Sequence, residues 1–146
     1  INKTNQFNLT TRRYSEADEL LILADCGSSN GYRCRLWKHA LQEFSNRQGI
    51  TITVNHYPPG TSKWNPIEHR LFSEISKNWA GRPLDSFETV RNYITTTSTK
   101  TGLRVKAYID NKIYEKGIKI DAQKMKELNI QKDDKLPKWN YAISPS

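Results

Sequence analysis

The sequence predicts an α/β domain organised around a parallel βαβ unit, and three stretches carry that prediction. Leu20 to Ala24 is a continuous apolar run, short enough for a strand buried on both faces of a sheet. Leu36, Trp37, Ala40, Leu41 and Phe44 fall on one face at three-to-four spacing, the stripe of an amphipathic helix. Ile50 to Val54 is a second, β-branched strand. Strand, helix and strand joined by short connections place the two strands parallel.

The elements follow in order. Residues 1–15 are polar and rich in Asn, Thr and Arg without a sustained period, and they read as a linker or tail. The apolar run ends at Asp25, and Cys26-Gly27-Ser28-Ser29-Asn30-Gly31 then turns the chain into the helix, which Gly49 closes as a C-cap. After the second strand comes the loop Asn55 to Trp64. Asn65-Pro66-Ile67-Glu68 then opens a helix to Trp79, with Ile67, Leu71, Phe72, Ile75 and Trp79 as its apolar stripe. Asp85-Ser86-Phe87-Glu88 starts another helix, which fades in the Thr95 to Thr101 run. Residues 16–101 thus form a strand-and-helix core.

From Gly102 the texture changes, and residues 102–146 read as a C-terminal β/α extension. Leu103, Val105 and Ala107 alternate with polar partners, Asp110-Asn111 is a turn, and Ile113-Tyr114 begins a return strand, which predicts a β-hairpin. Asp121 caps a short helix to about Leu128, with Ile120 and Met125 at staple positions. The segment from Lys132 onward is charged and punctuated by proline, with Trp139 and Tyr141 as anchors.

Lys plus Arg number 23 against 15 acids, for a net charge of +8. With a pI near 9.5, that balance favours polyanions, because basic groups release counterions from phosphate. No stretch reaches the roughly 20 apolar residues that span a bilayer, so no membrane partner is expected. Cys26 and Cys34 flank a loop without a metal-binding spacing and read as reduced thiols of a cytoplasmic protein. No signal peptide is present, and the opening Ile1 in place of Met reads as a boundary cut from something longer.

Two acids are delivered by the C-terminal ends of the two strands, where α/β sheets bind ligands. Asp25 follows the first strand, and the small residues after it would let a substrate backbone come close. Glu68 follows the second strand and its loop, and lines up with Phe72, Ile75 and Trp79 on the core side of its helix. A purely structural account exists for each, Asp25 as a turn former and Glu68 as the acid of a capping box. The inward direction of Glu68 goes beyond that account, because an unpaired charge facing inward is costly and a shared metal would remove the cost. His56 and His69 are too few for a zinc site. The loop from His56 to Trp64 mixes aromatic, basic and hydroxyl groups with rigid prolines, which suits a phosphate backbone and a stacked base.

The segment His56-Tyr57-Pro58-Pro59-Gly60-Thr61-Ser62-Lys63-Trp64-Asn65-Pro66-Ile67-Glu68-His69 resembles the part of DDE transposases that carries the last catalytic acid. Leu21 to Gly31 resembles the part that carries the second Asp. Asn78-Trp79-Ala80-Gly81-Arg82-Pro83-Leu84, Thr99-Lys100-Thr101-Gly102-Leu103 and Trp139-Asn140-Tyr141 narrow the resemblance to the ISAzo13-type insertion-sequence transposases, from about Arg12 onward. The resemblance implies a ribonuclease-H-like core holding two Mg²⁺ or Mn²⁺ ions, with Asp25 and Glu68 as catalytic and metal-binding acids. It implies DNA, both transposon ends and target, as partner, and the bacterial cytosol or nucleoid as location. Asn30, Arg33, Tyr57, Lys63, Trp64, Asn65, His69 and Arg70 are the corresponding candidates for DNA contact.

One departure qualifies the resemblance. The family's first Asp lies on an earlier strand of the core, and Glu16, Asp18 and Glu19, just before the Asp25 strand, cannot stand in for it. The expectation is the C-terminal half of a catalytic domain: a partial ribonuclease-H-like fold, inactive by itself, with an exposed sheet edge that invites self-association. The alternative is a non-catalytic basic module that binds nucleic acid or another partner.

Overall fold

The computed structural model describes residues 16–146, which form two compact units; the predicted tail 1–15 lies outside the described residues. One unit is built around a sheet and comprises residues 16–62 with Tyr114–Ser146; the other, Lys63–Ile113, is mainly helical.

In the sheet unit, β1 (Glu19–Ala24) leads through α1 (Arg35–Gln48) to β2 (Thr51–His56), and the two strands pair in parallel with Ile22 opposite Val54 and Ala24 opposite His56. The predicted βαβ unit is present. α1 ends where expected: Gly49 adopts φ 67°, a left-handed value that glycine takes without penalty, and its N–H donates to the Ser45 carbonyl at 2.8 Å. Alternation sends Ile52, Val54 and His56 to one face of β2, where Leu41 and Phe44 of α1 join the same buried cluster. Inside that apolar layer Gln42 is fully used. Its amide nitrogen donates to the Ser144 carbonyl and its amide oxygen accepts from the Asn129 N–H, joining α1 to the C-terminal strands.

Two expectations change here. β1 is not buried on both faces, since Leu21 is 58% and Leu23 41% exposed while Ala24 is buried. β1 is an edge strand in the order β1-β2-β4-β3, so pairing and packing secure one side of it among the described residues. The predicted hairpin over Leu103 to Tyr114 does not form; among the described residues an isolated bridge joins Ser98 and Arg104 instead. Its turn is present, with the Lys112 N–H donating to Asp110 Oδ1 at 3.0 Å, but Ile113 is 98% exposed and the chain passes from one unit to the other after it. A return strand there has no apolar face to fix a register.

The C-terminal hairpin is instead β3 (Ile130–Lys132) with β4 (Asn140–Ile143). β4 lies antiparallel to β2, with Tyr141 opposite Val54 and Ile143 opposite Ile52, and its alternation with Asn140 and Ala142 turns Tyr141 and Ile143 to the buried face. The short helix α4 (Ala122–Lys126) is present, capped by Asp121, which accepts from the Lys124 N–H at 2.8 Å.

The helical unit contains α2 (Pro66–Trp79) and α3 (Phe87–Thr96). Asn78 joins them, its amide donating to the Tyr93 carbonyl at 2.6 Å and to the Thr96 hydroxyl at 3.1 Å. Ile75 is buried as the stripe predicts, whereas Ile67 and Phe72 are exposed, so the covered face of α2 is narrower than its apolar pattern. Among the described residues no helix is long and apolar enough to cross a membrane.

Candidate functional site

Asp25 sits at the C-terminal end of β1, half-buried, in a loop drawn tight by two glycines. A Cβ on Gly31 would meet the Gly27 carbonyl oxygen at 2.8 Å, and a Cβ on Gly27 would meet Asn30 Oδ1 at 2.7 Å. That closeness lets the Asn30 amide donate to Asp25 Oδ1 at 2.8 Å. Among the described residues the carboxylate caps no backbone N–H, so Asp25 is not a simple turn former. Glu16, Asp18 and Glu19 lie at or before the start of β1, a strand length of about 20 Å from Asp25.

The backbone beneath Asp25 is fixed by a relay through the core. Trp37 Nε1–H donates to the Tyr141 hydroxyl at 3.1 Å, Tyr141 lies 3.1 Å from His56 Nε2, and His56 Nδ1 lies 3.5 Å from the Asp25 carbonyl. A carbonyl can only accept, so Nδ1 of the neutral ring carries the proton and Nε2 accepts from the phenol. Burial lowers the His56 pKa and the Lys38 charge adds to this, against the Asp25 carbonyl bond and the Asp25 charge, which favour the protonated ring. Burial also pushes the Tyr141 phenol up to about 12, although the Trp37 bond opposes it. Lys38, 5.0 Å above the Tyr141 ring, is lowered first by burial and then by the Lys132 charge.

Around this relay lies a cluster that sequence reasoning did not assemble. The Tyr32 and Trp139 rings have centroids 4.4 Å apart, Arg33 lies 5.2 Å over Tyr32, and Lys138 lies 4.7 Å over Trp139. Trp139 stands beside the end of β2, its carbonyl accepting from the His56 N–H at 3.0 Å.

Glu68 belongs to the helical unit, in the first turn of α2. Asn65 caps this helix from a buried position, its Oδ1 accepting from the Ile67 N–H at 3.2 Å and the Glu68 N–H at 3.5 Å. The Glu68 side chain does not reach back to close a capping box. Half-buried on the side of Leu71, Ile75 and Trp79, it makes no hydrogen bond or ion pair among the described residues. Glu74, by contrast, is spoken for by Lys77 at 2.7 Å.

The candidate DNA contacts divide between the units. Asn30, Arg33 and Tyr57 accompany Asp25, with Asn30 holding the carboxylate and the Tyr57 carbonyl accepting from Cys26 Sγ at 3.0 Å. Lys63, Trp64, Asn65, His69 and Arg70 accompany Glu68; Trp64 is exposed, with Lys63 5.9 Å above its ring, and His69 and Arg70 are exposed. Among the described residues no three His, Cys, Asp or Glu side chains converge as a metal-binding group.

The family described as Rhodopirellula transposase DDE domain matches residues 6–145, so the chain belongs to this family of ISAzo13-type transposases. No curated protein and no solved structure matches it.

Proposed function

We propose that this chain is part of a transposase catalytic domain, inactive without the first acid of the triad, whose complete form performs metal-dependent DNA strand cleavage and transfer on a ribonuclease-H-like framework, with Asp25 and Glu68 as two of its metal-binding acids. Membership of the transposase family supplies the reaction class and DNA as the partner. The observation that carries the assignment is that both carboxylates are left available. Asp25 takes one side-chain amide, and Glu68 takes no partner among the described residues, although a turn and a helix N-terminus offer backbone donors to each. Their oxygens are the hard donors that Mg²⁺ or Mn²⁺ requires. When bound, such ions activate the attacking oxygen and stabilise the leaving one in an in-line phosphoryl displacement.

The chain's own residues set up that chemistry. Asn30 orients the Asp25 carboxylate, His56 holds the Asp25 backbone, and Asn65 fixes the turn of α2 from which Glu68 projects. Exposed Arg33, Lys63 and Arg70 supply positive charge for DNA phosphates. Mn²⁺ titration followed by electron paramagnetic resonance tests the assignment. Asp25→Asn and Glu68→Gln should each weaken Mn²⁺ binding while leaving DNA binding in chelator equal or stronger, because each removes a negative charge. Unchanged Mn²⁺ binding in both variants would instead describe a basic nucleic-acid-binding module.

A further inference from the structure

We propose that Tyr32 and Trp139 form a stacking platform for an unpaired nucleotide of the DNA strand presented to Asp25. The proposal rests on the transposase reading for the identity of the polymer, and on the sheet unit for everything else. Tyr32 lies in the loop between Asp25 and α1, and Trp139 is joined to the end of β2 by its carbonyl bond with the His56 N–H. Since Ala24 pairs with His56, Trp139 lies two strand spacings from the Asp25 end of β1, about 10 Å away.

The two rings are half-buried and tilted by 56°, so their orientation is held while part of each remains open to solvent. Neither belongs to the buried hydrophobic cluster among the described residues. Each instead carries a cation: Arg33 lies 5.2 Å over Tyr32, and Lys138 lies 5.3 Å over Tyr32 and 4.7 Å over Trp139. Among the described residues neither Arg33 nor Lys138 pairs with a carboxylate, so each can swing from its ring to a phosphate when a base takes that face. Rings that take a base face, set among cations that take the flanking phosphates, are what single-stranded nucleic acid recognition requires. In a duplex the base faces are covered by their neighbours and protein contacts fall on phosphates and groove edges, which leaves two rings with nothing to stack on. The chemistry therefore selects a strand with an unpaired base.

The test uses the whole chain, in chelator and at fixed salt, with one oligonucleotide sequence presented as a single strand and as a duplex. A 2-aminopurine in the single strand should be quenched on binding, and the single strand should bind more tightly than the duplex. Trp139→Leu and Tyr32→Leu should each weaken single-strand binding by roughly tenfold, with less than about a twofold effect on the duplex, while Trp139→Phe keeps the preference. Absence of 2-aminopurine quenching by the parent chain overturns the platform, and that reading needs no variant to fold. Loss of single-strand and duplex binding in equal proportion, or no loss, overturns it as well. Because no metal is present, the outcome is independent of whether Asp25 and Glu68 bind Mn²⁺. A chain that binds Mn²⁺ but does not discriminate between the two DNA forms loses the platform alone.

Discussion

Tyr141 and His56 meet through a 3.1 Å contact between the phenol oxygen and Nε2, and the same oxygen accepts from Trp37 Nε1 at 3.1 Å. A residue of the C-terminal strand thereby joins the helix α1 to the strand end beside Asp25. The bond network explains why a charged, proline-punctuated segment inserts into the sheet next to β2: Tyr141 fills the core with its ring and satisfies two polar groups with its hydroxyl.

Tyr141→Phe keeps the ring and removes the hydroxyl, leaving the Trp37 N–H and His56 without their shared partner. The expected cost is about 1–3 kcal/mol of unfolding free energy, measured by urea denaturation. A change below about 0.5 kcal/mol would show that the relay contributes nothing to stability.

Stability should also depend on pH through His56. Burial lowers its folded pKa below the ordinary value of 6.5, so between those two values the unfolded chain binds more protons than the folded one. The stabilisation is therefore complete above pH 6.5 and is lost as the pH falls through the lowered folded value. Thermal melts from pH 8 to pH 5 should show this decline, and His56→Gln should flatten it. A parent chain more stable at pH 5.5 than at pH 7.5 would reverse the sign and contradict the assignment.

The two loop glycines should differ in what they disturb. In Gly31→Ala the new methyl meets a backbone carbonyl oxygen at 2.8 Å and the loop must shift, at a cost of about 1–3 kcal/mol. In Gly27→Ala it meets the Asn30 side chain at 2.7 Å, which can swing away, so stability changes less but the Asn30–Asp25 bond is broken. Chemical denaturation of the two variants, with Mn²⁺ titration of the second, separates the effects.

At the start of α2 the cap and the acid should part company. Asn65→Ala removes the cap of two N–H groups and should cost about 0.5–2 kcal/mol. Glu68→Gln removes no hydrogen bond and should change stability by no more than about 0.5 kcal/mol, the scale of its interaction with the helix dipole. Equal costs in denaturation experiments would return Glu68 to a structural role.

Much of the sheet unit was legible in the sequence because its signals are periodic. The α1 stripe and Ile50 to Val54 each bury a face at the spacing their residues announce, whereas the continuous apolar run Leu20 to Ala24 gave the strand but not its open face. The positions of Asp25 after β1, and of Asn65 and Glu68 at the start of α2, followed from local turn and cap chemistry. β4 was not legible: Asn140–Ile143 is four residues in a charged setting, and only pairing with β2 gives its alternation a meaning. Alternation misled at Leu103 to Ala107, where no partner strand exists among the described residues. The Tyr32–Trp139 pair was hidden for the same reason as β4, since the two rings meet only once the C-terminal strand has taken its place.

The most direct test of the central claim is an anomalous-scattering map of crystals grown with Mn²⁺, locating any ion relative to Asp25 and Glu68. The account predicts manganese coordinated by both side chains, with their oxygens roughly 4–8 Å apart and flanking one ion or a pair about 3.5–4 Å apart. Manganese on neither acid, or carboxylates held too far apart to share an ion, would contradict it.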